Sequence, residues 1–281
     1  MSSHKLKIGK LKGYVMKRIW IENRATINGW LSIGSAFVAE IMAEQGYDCL
    51  TIDMQHGVLG YESAVSMLQA MRASAVFPMI RVPWLSPDAI MSALDAGAYG
   101  IVCPMVNTRD DAERLVSYVK YPPAGLRSFG PTRAGLSNVQ GYRERADEEI
   151  VCFAMIETRQ ALDALDDIVS VGGLDGIYVG PADLTISLFG SQFPPGFDRT
   201  EPEMIDAIRQ ICDQAHGHGK RAGLHCGTPE YAARAVEWGF DLVTVSNDVR
   251  LLSNAARSSL IQALDRINEA SPSTSAMPSS Y

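Results

Sequence analysis

The chain has 281 residues, of which 47% are hydrophobic and 20% charged, and its formal net charge is −7. This length and apolar content suffice for a large hydrophobic core, and by length alone one large α/β domain or two ordinary ones would fit. No basic block marks a nucleic-acid-binding face, and no apolar run reaches the roughly 18–20 residues that a transmembrane helix needs.

The N-terminus and the cysteines indicate a cytoplasmic protein. The first residues are basic but lack the apolar region of a secretory signal, and the five cysteines show no CxxC spacing. Most of the cysteines lie in apolar segments, so we expect buried free thiols in a reducing compartment.

In chain order, an N-terminal extension (1–24) comes first, with a predicted helix over 5–24. Eight short, β-branched, apolar runs follow, as expected for the strands of a parallel sheet that is buried on both faces. These predicted strands are 25–33, 48–54, 78–83, 100–106, 152–157, 176–180, 220–226 and 241–246. The tail 271–281 is small and polar, and we expect it to be disordered.

Helix signals lie between these runs. Apolar residues at helical spacing mark 61–71, and Ser86-Pro87 is a typical helix start. Thr108 with Asp111, and Thr200 with Glu203, have the spacing of capping boxes. Thr228 also precedes a predicted helix, whereas Gly97, Gly219 and Gly239 are placed where helices end.

Eight β–α units over 25–270 predict a single-domain (β/α)₈ TIM barrel, an α/β fold. A doubly wound open sheet is the alternative, because its local signals are the same. The chain has no glycine-rich dinucleotide fingerprint, which favours the barrel and argues against an organic cofactor of that kind. In such a barrel, catalytic groups gather at the carboxyl ends of the strands.

Acidic residues follow two neighbouring predicted strands. Glu157 follows the fifth and Asp183 the sixth. Neighbouring strands lie about 4.8 Å apart, so the two carboxylates can converge on one point, where they repel unless a cation or a proton joins them. The pair therefore suits a hard divalent ion such as Mg²⁺ or Mn²⁺. For either acid alone, an ion pair with arginine or a helix cap is the structural alternative.

Two further residues lie at the ends of earlier strands. His56 has the side chain most often used as a general base near neutral pH, and either Asp53 or Asp95 could orient it. A structural histidine is the alternative. Arg81 lies inside an apolar strand, where a cation needs a partner. At the barrel mouth it would stabilise an oxyanion or enolate; the alternative is a structural salt bridge.

The turn Gly180-Pro181-Ala182-Asp183 opens a helix. Free backbone N–H groups at a helix start form a site for a carboxylate-sized anion, and glycine permits close approach of a ligand. These four residues are therefore a candidate substrate-binding segment.

Taken in order, these motifs resemble the HpcH/HpaI family of metal-dependent (class II) pyruvate aldolases. The resemblance spans about 25–250, nearly the whole predicted barrel. Its matching segments are 28–57, 78–84, 93–106, 121–131, 154–158 and 175–184.

The resemblance implies a role for each matching residue. His56 corresponds to the catalytic base, Asp95 to the acid that raises its basicity, and Arg81 to the transition-state stabiliser. The implied metal ligands are Glu157 and Asp183, and the implied cofactor is Mg²⁺, Mn²⁺ or Co²⁺ with no organic group. The remaining implied site positions are the pyruvate-carboxylate site at Ala182 and Asp183, and the further positions Trp30 and Asp53.

The chain departs from the family pattern at two site positions. Gln55 stands where the family often has Glu, and Met155 where it often has a substrate-contacting Gln. Met155 removes a hydrogen-bond donor, so we expect a more apolar pocket wall and an altered choice of substrate rather than a loss of chemistry.

The implied activity is the reversible cleavage of a 4-hydroxy-2-oxo acid to pyruvate and an aldehyde through a pyruvate enolate. Oxaloacetate decarboxylation, a citramalyl- or malyl-type lyase activity and a non-catalytic barrel are the alternatives. The resemblance also implies a homo-oligomer, a hexamer built as a trimer of dimers, in which the last helix is swapped between subunits.

Overall fold

Eight parallel strands close into a barrel in which each strand pairs with its sequence neighbours and the last pairs with the first. The computed structural model describes residues 12–137 and 141–270. The strands are β1 (Thr26–Leu31), β2 (Cys49–Asp53), β3 (Phe77–Arg81), β4 (Gly100–Cys103), β5 (Val151–Ile156), β6 (Gly176–Val179), β7 (Arg221–Cys226) and β8 (Leu242–Asn247). All eight predicted strands are confirmed, and the closed order excludes the open sheet.

Helices connect the strands, as a (β/α)₈ barrel requires. They are α1 (Lys12–Ile21), α2 (Ala36–Ala43), α3 (Tyr61–Ala70), α4 (Pro87–Asp95), α5 (Arg109–Val119), α6 (Ala134–Ser137), α7 (Tyr142–Glu149), α8 (Arg159–Asp163), α9 (Leu165–Val169), α10 (Pro181–Phe189), α11 (Pro202–Gly217), α12 (Pro229–Glu237) and α13 (Asp248–Ala270). In the part of the chain that the structure describes, no helix is both long and apolar enough to cross a membrane.

The predicted helix caps are confirmed in most places. Thr108 forms both halves of a capping box with Asp111, and the Thr228 side chain accepts from the backbone N–H of Tyr231. The capping box predicted for Thr200 and Glu203 is wrong.

At that position the N-cap of α11 is Glu201, one residue later than predicted. The carboxylate of Glu201 instead accepts two hydrogen bonds from the buried guanidinium of Arg199. Pro202 follows as the first residue of α11, a position that proline favours, so the helix starts one residue later than a Thr200 cap requires.

The hydrophobic core has two parts, separated by the wall of strands. One lies between the strands and the surrounding helices, and the other fills the barrel interior with residues such as Phe77, Phe153 and Tyr178. Helix α1 adds Met16 and Trp20 to the interior part. It thereby covers the amino end of the barrel and leaves the carboxyl end for a site.

The five cysteines are free and buried, as predicted. The predicted N-terminal helix is confirmed over Lys12–Ile21, while residues 5–11 and the tail 271–281 lie outside the described residues. The chain divides into two compact units, Met1–Asp248 and Val249–Tyr281. The barrel lies in the first unit, and the second contains most of α13.

Candidate active site

Strand alternation brings the predicted site residues to one face. Successive side chains of a strand point to opposite sides, so residues two apart share the barrel interior. The interior residues Cys49, Met79 and Met155 are therefore followed, two or four positions later, by Asp53, Arg81 and Glu157. The polar side chains continue the interior columns to the carboxyl end of the barrel.

A buried ion pair joins β2 to β3. Asp53 and Arg81 are direct register partners, and Nε and Nη2 of Arg81 donate to Oδ1 (2.8 Å) and Oδ2 (2.6 Å) of Asp53. Trp30 Nε1 also donates to Oδ2 (3.1 Å), and the Arg81 guanidinium lies 4.9 Å from the centre of the Trp30 ring. Burial alone would raise the pKa of Asp53, but the hydrogen bonds and charge of Arg81 outweigh it and hold that pKa below its usual value.

Arg81 thus forms the salt bridge that was the structural alternative, and it remains near the predicted metal ligands. Its positive charge acts on Glu157, where it lowers the pKa of that carboxyl. Among the described residues, Nη1 of Arg81 makes no hydrogen bond to protein. The side chain is anchored on two nitrogens and keeps a third donor for a ligand.

Glu157 is buried immediately after β5, with 1% of its surface exposed. The backbone N–H of Met105, in the loop after β4, donates to Oε1 (2.7 Å). The pKa of Glu157 is raised to about 7, chiefly by burial; within that net value the Met105 hydrogen bond and the charge of Arg81 lower the pKa and the charge of Asp183 raises it. The carboxylate is therefore costly to ionise without a cation.

Gly180 makes room for that carboxylate. A Cβ atom at position 180 would lie 2.6 Å from Oε2 and 3.0 Å from Cβ of Glu157. The glycine was predicted to allow close approach of a ligand. The structure shows that it first of all allows close approach of Glu157.

Asp183 lies in the first turn of α10 rather than at the tip of β6, and it is exposed. Gly180 is the N-cap of this helix and Pro181 is its first residue, so the N–H groups of Ala182 and Asp183 have no acceptor within the helix. This helix start therefore has the free N–H groups that the expected anion site requires, and anion binding there stays a prediction.

The two carboxylates suit a divalent cation. Within residues 12–137 and 141–270, no cluster of three or more His, Cys, Asp or Glu side chains is arranged to hold a metal. Glu157 Oε2 accepts no hydrogen bond from any described residue, and the charge of Asp183 acts on Glu157, so a metal-ligand role for this pair stays a prediction. Hard divalent ions accept such a pair of carboxylates and complete their coordination with water and substrate oxygens.

His56 lies in the exposed turn after β2. Its backbone N–H and that of Gln55 each donate to Oδ1 of Asp53 (both 3.1 Å), so Asp53 fixes the turn through the backbone and not through the imidazole ring. Gln55 has a buried amide oxygen that is without a partner among the described residues.

Asp95, the second candidate to orient His56, is engaged elsewhere. Its Oδ1 accepts from Nη2 of the buried Arg127 (2.8 Å), which also donates to the Tyr142 hydroxyl (3.1 Å). No contact with His56 forms in the described part of the chain, so the role of Asp95 beside that histidine stays a prediction.

Met155 lies in the barrel interior with 2% of its surface exposed, opposite Tyr178 on β6. Its Cε would be 3.1 Å from a Cβ at position 180. Met155 therefore packs beside Gly180 and Glu157, where it makes the floor of the site apolar.

The sequence reasoning missed Met105 and Asn107, whereas it recognised His225 as a strand-end residue that could line the site and favoured a packed supporting role for it. Met105 holds Glu157 through its backbone, and Asn107 donates from Nδ2 to the Met105 carbonyl (3.0 Å). His225, at the end of β7, has its ring centre 4.8 Å from that of Trp30, and its Nδ1 lies 3.3 Å from the Tyr178 hydroxyl. A strand-end histidine is a visible signal in the sequence, whereas a backbone donor leaves none.

A sequence model described as "HpcH/HpaI aldolase/citrate lyase" matches residues 27–255. The chain belongs to this family. The hydroxypyruvate/pyruvate aldolase of Rhizorhabdus wittichii is 42% identical over 248 residues, which cover 88% of this chain and 98% of that protein. The 4-hydroxy-2-oxo-heptane-1,7-dioate aldolase of Shigella flexneri is 34% identical over 236 residues, covering 83% of this chain and 86% of that protein.

A solved structure agrees. An HpcH/HpaI aldolase/citrate lyase family protein from Burkholderia cenocepacia matches with a TM-score of 0.82 and 30% identity, covering 89% of this chain and 99% of that chain. The family resemblance read from the sequence motifs is therefore confirmed. The chain has the fold of an aldolase/lyase family whose relatives act on small molecules.

Proposed function

We propose that this HpcH/HpaI protein is a divalent-metal-dependent aldolase that reversibly cleaves a 4-hydroxy-2-oxo acid into pyruvate and an aldehyde. The observation that carries the proposal is the buried carboxylate of Glu157, which is within electrostatic reach of both Asp183 and Arg81. A buried acid beside a second acid and an anchored arginine is suited to holding a cation next to a developing oxyanion.

Glu157 and Asp183 would hold Mg²⁺, Mn²⁺ or Co²⁺, which supplies Lewis-acid polarisation of the 2-oxo acid. The N–H groups of Ala182 and Asp183 bind the substrate carboxylate. The free nitrogen of Arg81 donates to the oxygen that becomes negative as the enolate forms.

His56 is the proposed base. It removes the proton of the 4-hydroxyl group, the C3–C4 bond breaks, and the bonding electrons pass into the pyruvate enolate while the aldehyde leaves. Protonation at C3 then gives pyruvate. The exposed position of His56 lets it exchange its proton with water.

A lysine Schiff base is disfavoured by the placement of Lys220. This residue directly precedes β7, at the amino end of the barrel, and its Nζ donates to the carbonyls of Val171 and Leu174 (both 2.9 Å). None of the eight strands ends in a lysine. A covalent imine at the carboxyl end therefore has no candidate at a strand end.

The donor acid is proposed to be pyruvate or its hydroxylated analogue. The relative from Rhizorhabdus wittichii, which is named for both donors, supports this choice. The apolar Met155 beside Gly180 favours small donors that need no hydrogen bond from that wall.

The solution state is proposed to be a cytoplasmic homo-oligomer, a hexamer in keeping with the family expectation. Helix α13 supports this, because its large apolar side chains Leu252 (62%), Leu260 (60%) and Leu264 (47%) are exposed. Apolar surface of this kind is commonly covered by a partner.

The test is exchange of the pyruvate methyl protons in D₂O, followed by NMR, with protein stripped by chelator and then supplied with Mg²⁺, Mn²⁺ or Co²⁺. We expect exchange only with metal, and at least about a hundredfold slower exchange in Glu157→Gln and Asp183→Asn. Glu203→Gln, an exposed acid on α11, is the control and should match the wild type.

Three results would contradict the proposal. Exchange that is independent of metal, or full activity in the Glu157→Gln/Asp183→Asn double variant, would remove the metal role. A folded wild type that exchanges no protons with any metal would exclude pyruvate and direct the search to oxaloacetate or thioester substrates.

A further inference from the structure

The loop after β4 contains a residue in an unfavourable backbone conformation at the edge of the site. Met105 has a positive φ of 56°, a region that residues with side chains enter rarely and at a cost in energy. In this conformation the Met105 N–H donates a hydrogen bond to Oε1 of Glu157 (2.7 Å). Interactions with other residues must therefore stabilise the positive-φ conformation of Met105.

Asn107 makes the contacts that can do so. Its Nδ2 donates to the Met105 carbonyl (3.0 Å), and its Oδ1 accepts from the hydroxyl of Thr158, the residue directly after Glu157. The Asn107 backbone is fixed in turn, because its N–H donates to Oδ2 of Asp111 in the first turn of α5 (3.0 Å). One amide side chain thus joins the two chain segments that meet at the Glu157 carboxylate.

We propose that Asn107 is a positioning residue for Glu157: it holds Met105 in the left-handed conformation so that the Met105 N–H orients the Glu157 carboxylate toward a bound divalent cation. The inference rests on the proposed metal role of Glu157. Asn107 itself touches neither the cation nor the substrate. It acts through one peptide group.

The first readout is Mn²⁺ affinity, measured by titration calorimetry on chelator-stripped protein. Loss of a residue that orients a metal ligand typically weakens binding about 10- to 100-fold, and we expect that loss in Asn107→Ala. Gln160→Ala is the matched control, because it removes an exposed amide from a neighbouring position on α8. Unchanged affinity in Asn107→Ala would overturn the proposal.

A double-mutant cycle with Met105→Gly tests the mechanism. Glycine adopts positive φ without strain, so in Met105→Gly the backbone conformation at position 105 depends less on the Asn107 hydrogen bond. We expect Asn107→Ala to weaken Mn²⁺ binding much less in Met105→Gly than in the wild type. Equal losses in both backgrounds would show that Asn107 does not act through Met105.

A second variant covers the case in which Asn107→Ala fails to fold. Asn107→Asp keeps the shape and the acceptor for Thr158 but loses the donor to the Met105 carbonyl. By charge alone the added carboxylate would strengthen cation binding, so weaker binding supports the lost donor as the cause. Equal or tighter binding would contradict it.

Hydrogen exchange of the Met105 amide in metal-free protein separates this inference from the proposed function. Faster exchange in Asn107→Ala is expected even if the wild type binds no Mn²⁺, an outcome that would defeat the metal role alone. Tight Mn²⁺ binding that Glu157→Gln abolishes, together with unchanged Met105 exchange in Asn107→Ala, would defeat the positioning role alone.

Discussion

At the residue scale, Glu157 is the acid of the site whose ionisation costs the most free energy, because its carboxylate is buried. Water is excluded from this carboxylate, and neither its hydrogen bond from Met105 nor the charge of Arg81 offsets the effect of burial on its pKa. Asp53, by contrast, has a lowered pKa because Arg81 binds it directly on two oxygens. The two acids are therefore suited to different tasks: Asp53 anchors the arginine, and Glu157 is the proposed ligand of a cation.

The raised pKa of Glu157 predicts how the stability of the metal-free protein depends on pH. The pKa of Glu157 is about 7 in the folded state against an ordinary value of 4.5, so the folded state holds the extra proton and is favoured below about pH 4.5. As pH rises from about 4.5 to 7, the free energy of unfolding should fall by an amount on the order of 3 kcal/mol. Glu157→Gln should lack this component.

Urea unfolding of the wild type and of Glu157→Gln across this pH range, with chelator present, measures the difference. Identical pH slopes in the two proteins would show that Glu157 does not titrate in the folded state as described. Addition of Mn²⁺ at pH 8 should stabilise the wild type but not the glutamine variant, because only the carboxylate binds the cation well.

At the element scale, the β6–α10 connection gives the site both a helix start with free N–H groups and the space for Glu157. Gly180→Ala should disturb both, since its Cβ would lie 2.6 Å from Oε2 of Glu157 and 3.1 Å from Cε of Met155. We expect Mn²⁺ affinity and aldolase turnover to fall at least about tenfold, because metal ligands tolerate little displacement.

Gly172→Ala is the control for this substitution. Gly172 is exposed and a Cβ there would meet no atom within 4 Å. Calorimetry with Mn²⁺ and the proton-exchange assay apply to both variants. Wild-type binding and turnover in Gly180→Ala would mean that the β6–α10 loop can shift to accept the added Cβ and that glycine is not required to make room for the Glu157 carboxylate.

At the scale of the whole molecule, the apolar side chains of α13 predict self-association. Leu260→Glu/Leu264→Glu places two charges on this surface and should dissociate the oligomer, since burying an unpaired charge at an interface is strongly unfavourable. Light scattering after gel filtration measures the mass. Gln262→Glu, an exposed polar residue of the same helix, adds charge without removing apolar surface and should leave the mass unchanged.

A monomeric wild type would contradict the oligomer, and a double variant that keeps the wild-type mass would show that this surface of α13 is not the interface. The same variants report on catalysis, because a site completed by a second subunit would lose turnover on dissociation.

Much of this protein could be predicted from local patterns. Strands buried on both faces must be short apolar runs, and helix ends must satisfy free backbone groups, so all eight strands and the caps at Thr108 and Thr228 were predictable. The cap at Thr200 was not, because Glu201, whose carboxylate pairs with buried Arg199, is the N-cap and Pro202 is the first residue of α11. Capping spacing reports a local preference that neighbouring residues can override.

The site divides in the same way. Position at or shortly after a strand end, which the sequence shows, predicts Arg81, Glu157 and Asp183 as site residues. Only the tertiary structure decided that Arg81 binds Asp53 and that the Glu157 carboxylate fills the space beside Gly180. It also decided that Met105, in a strained backbone conformation, donates a hydrogen bond to that carboxylate. Periodicity determines which face a side chain occupies, whereas its partner depends on strand register and on close packing between segments far apart in the chain.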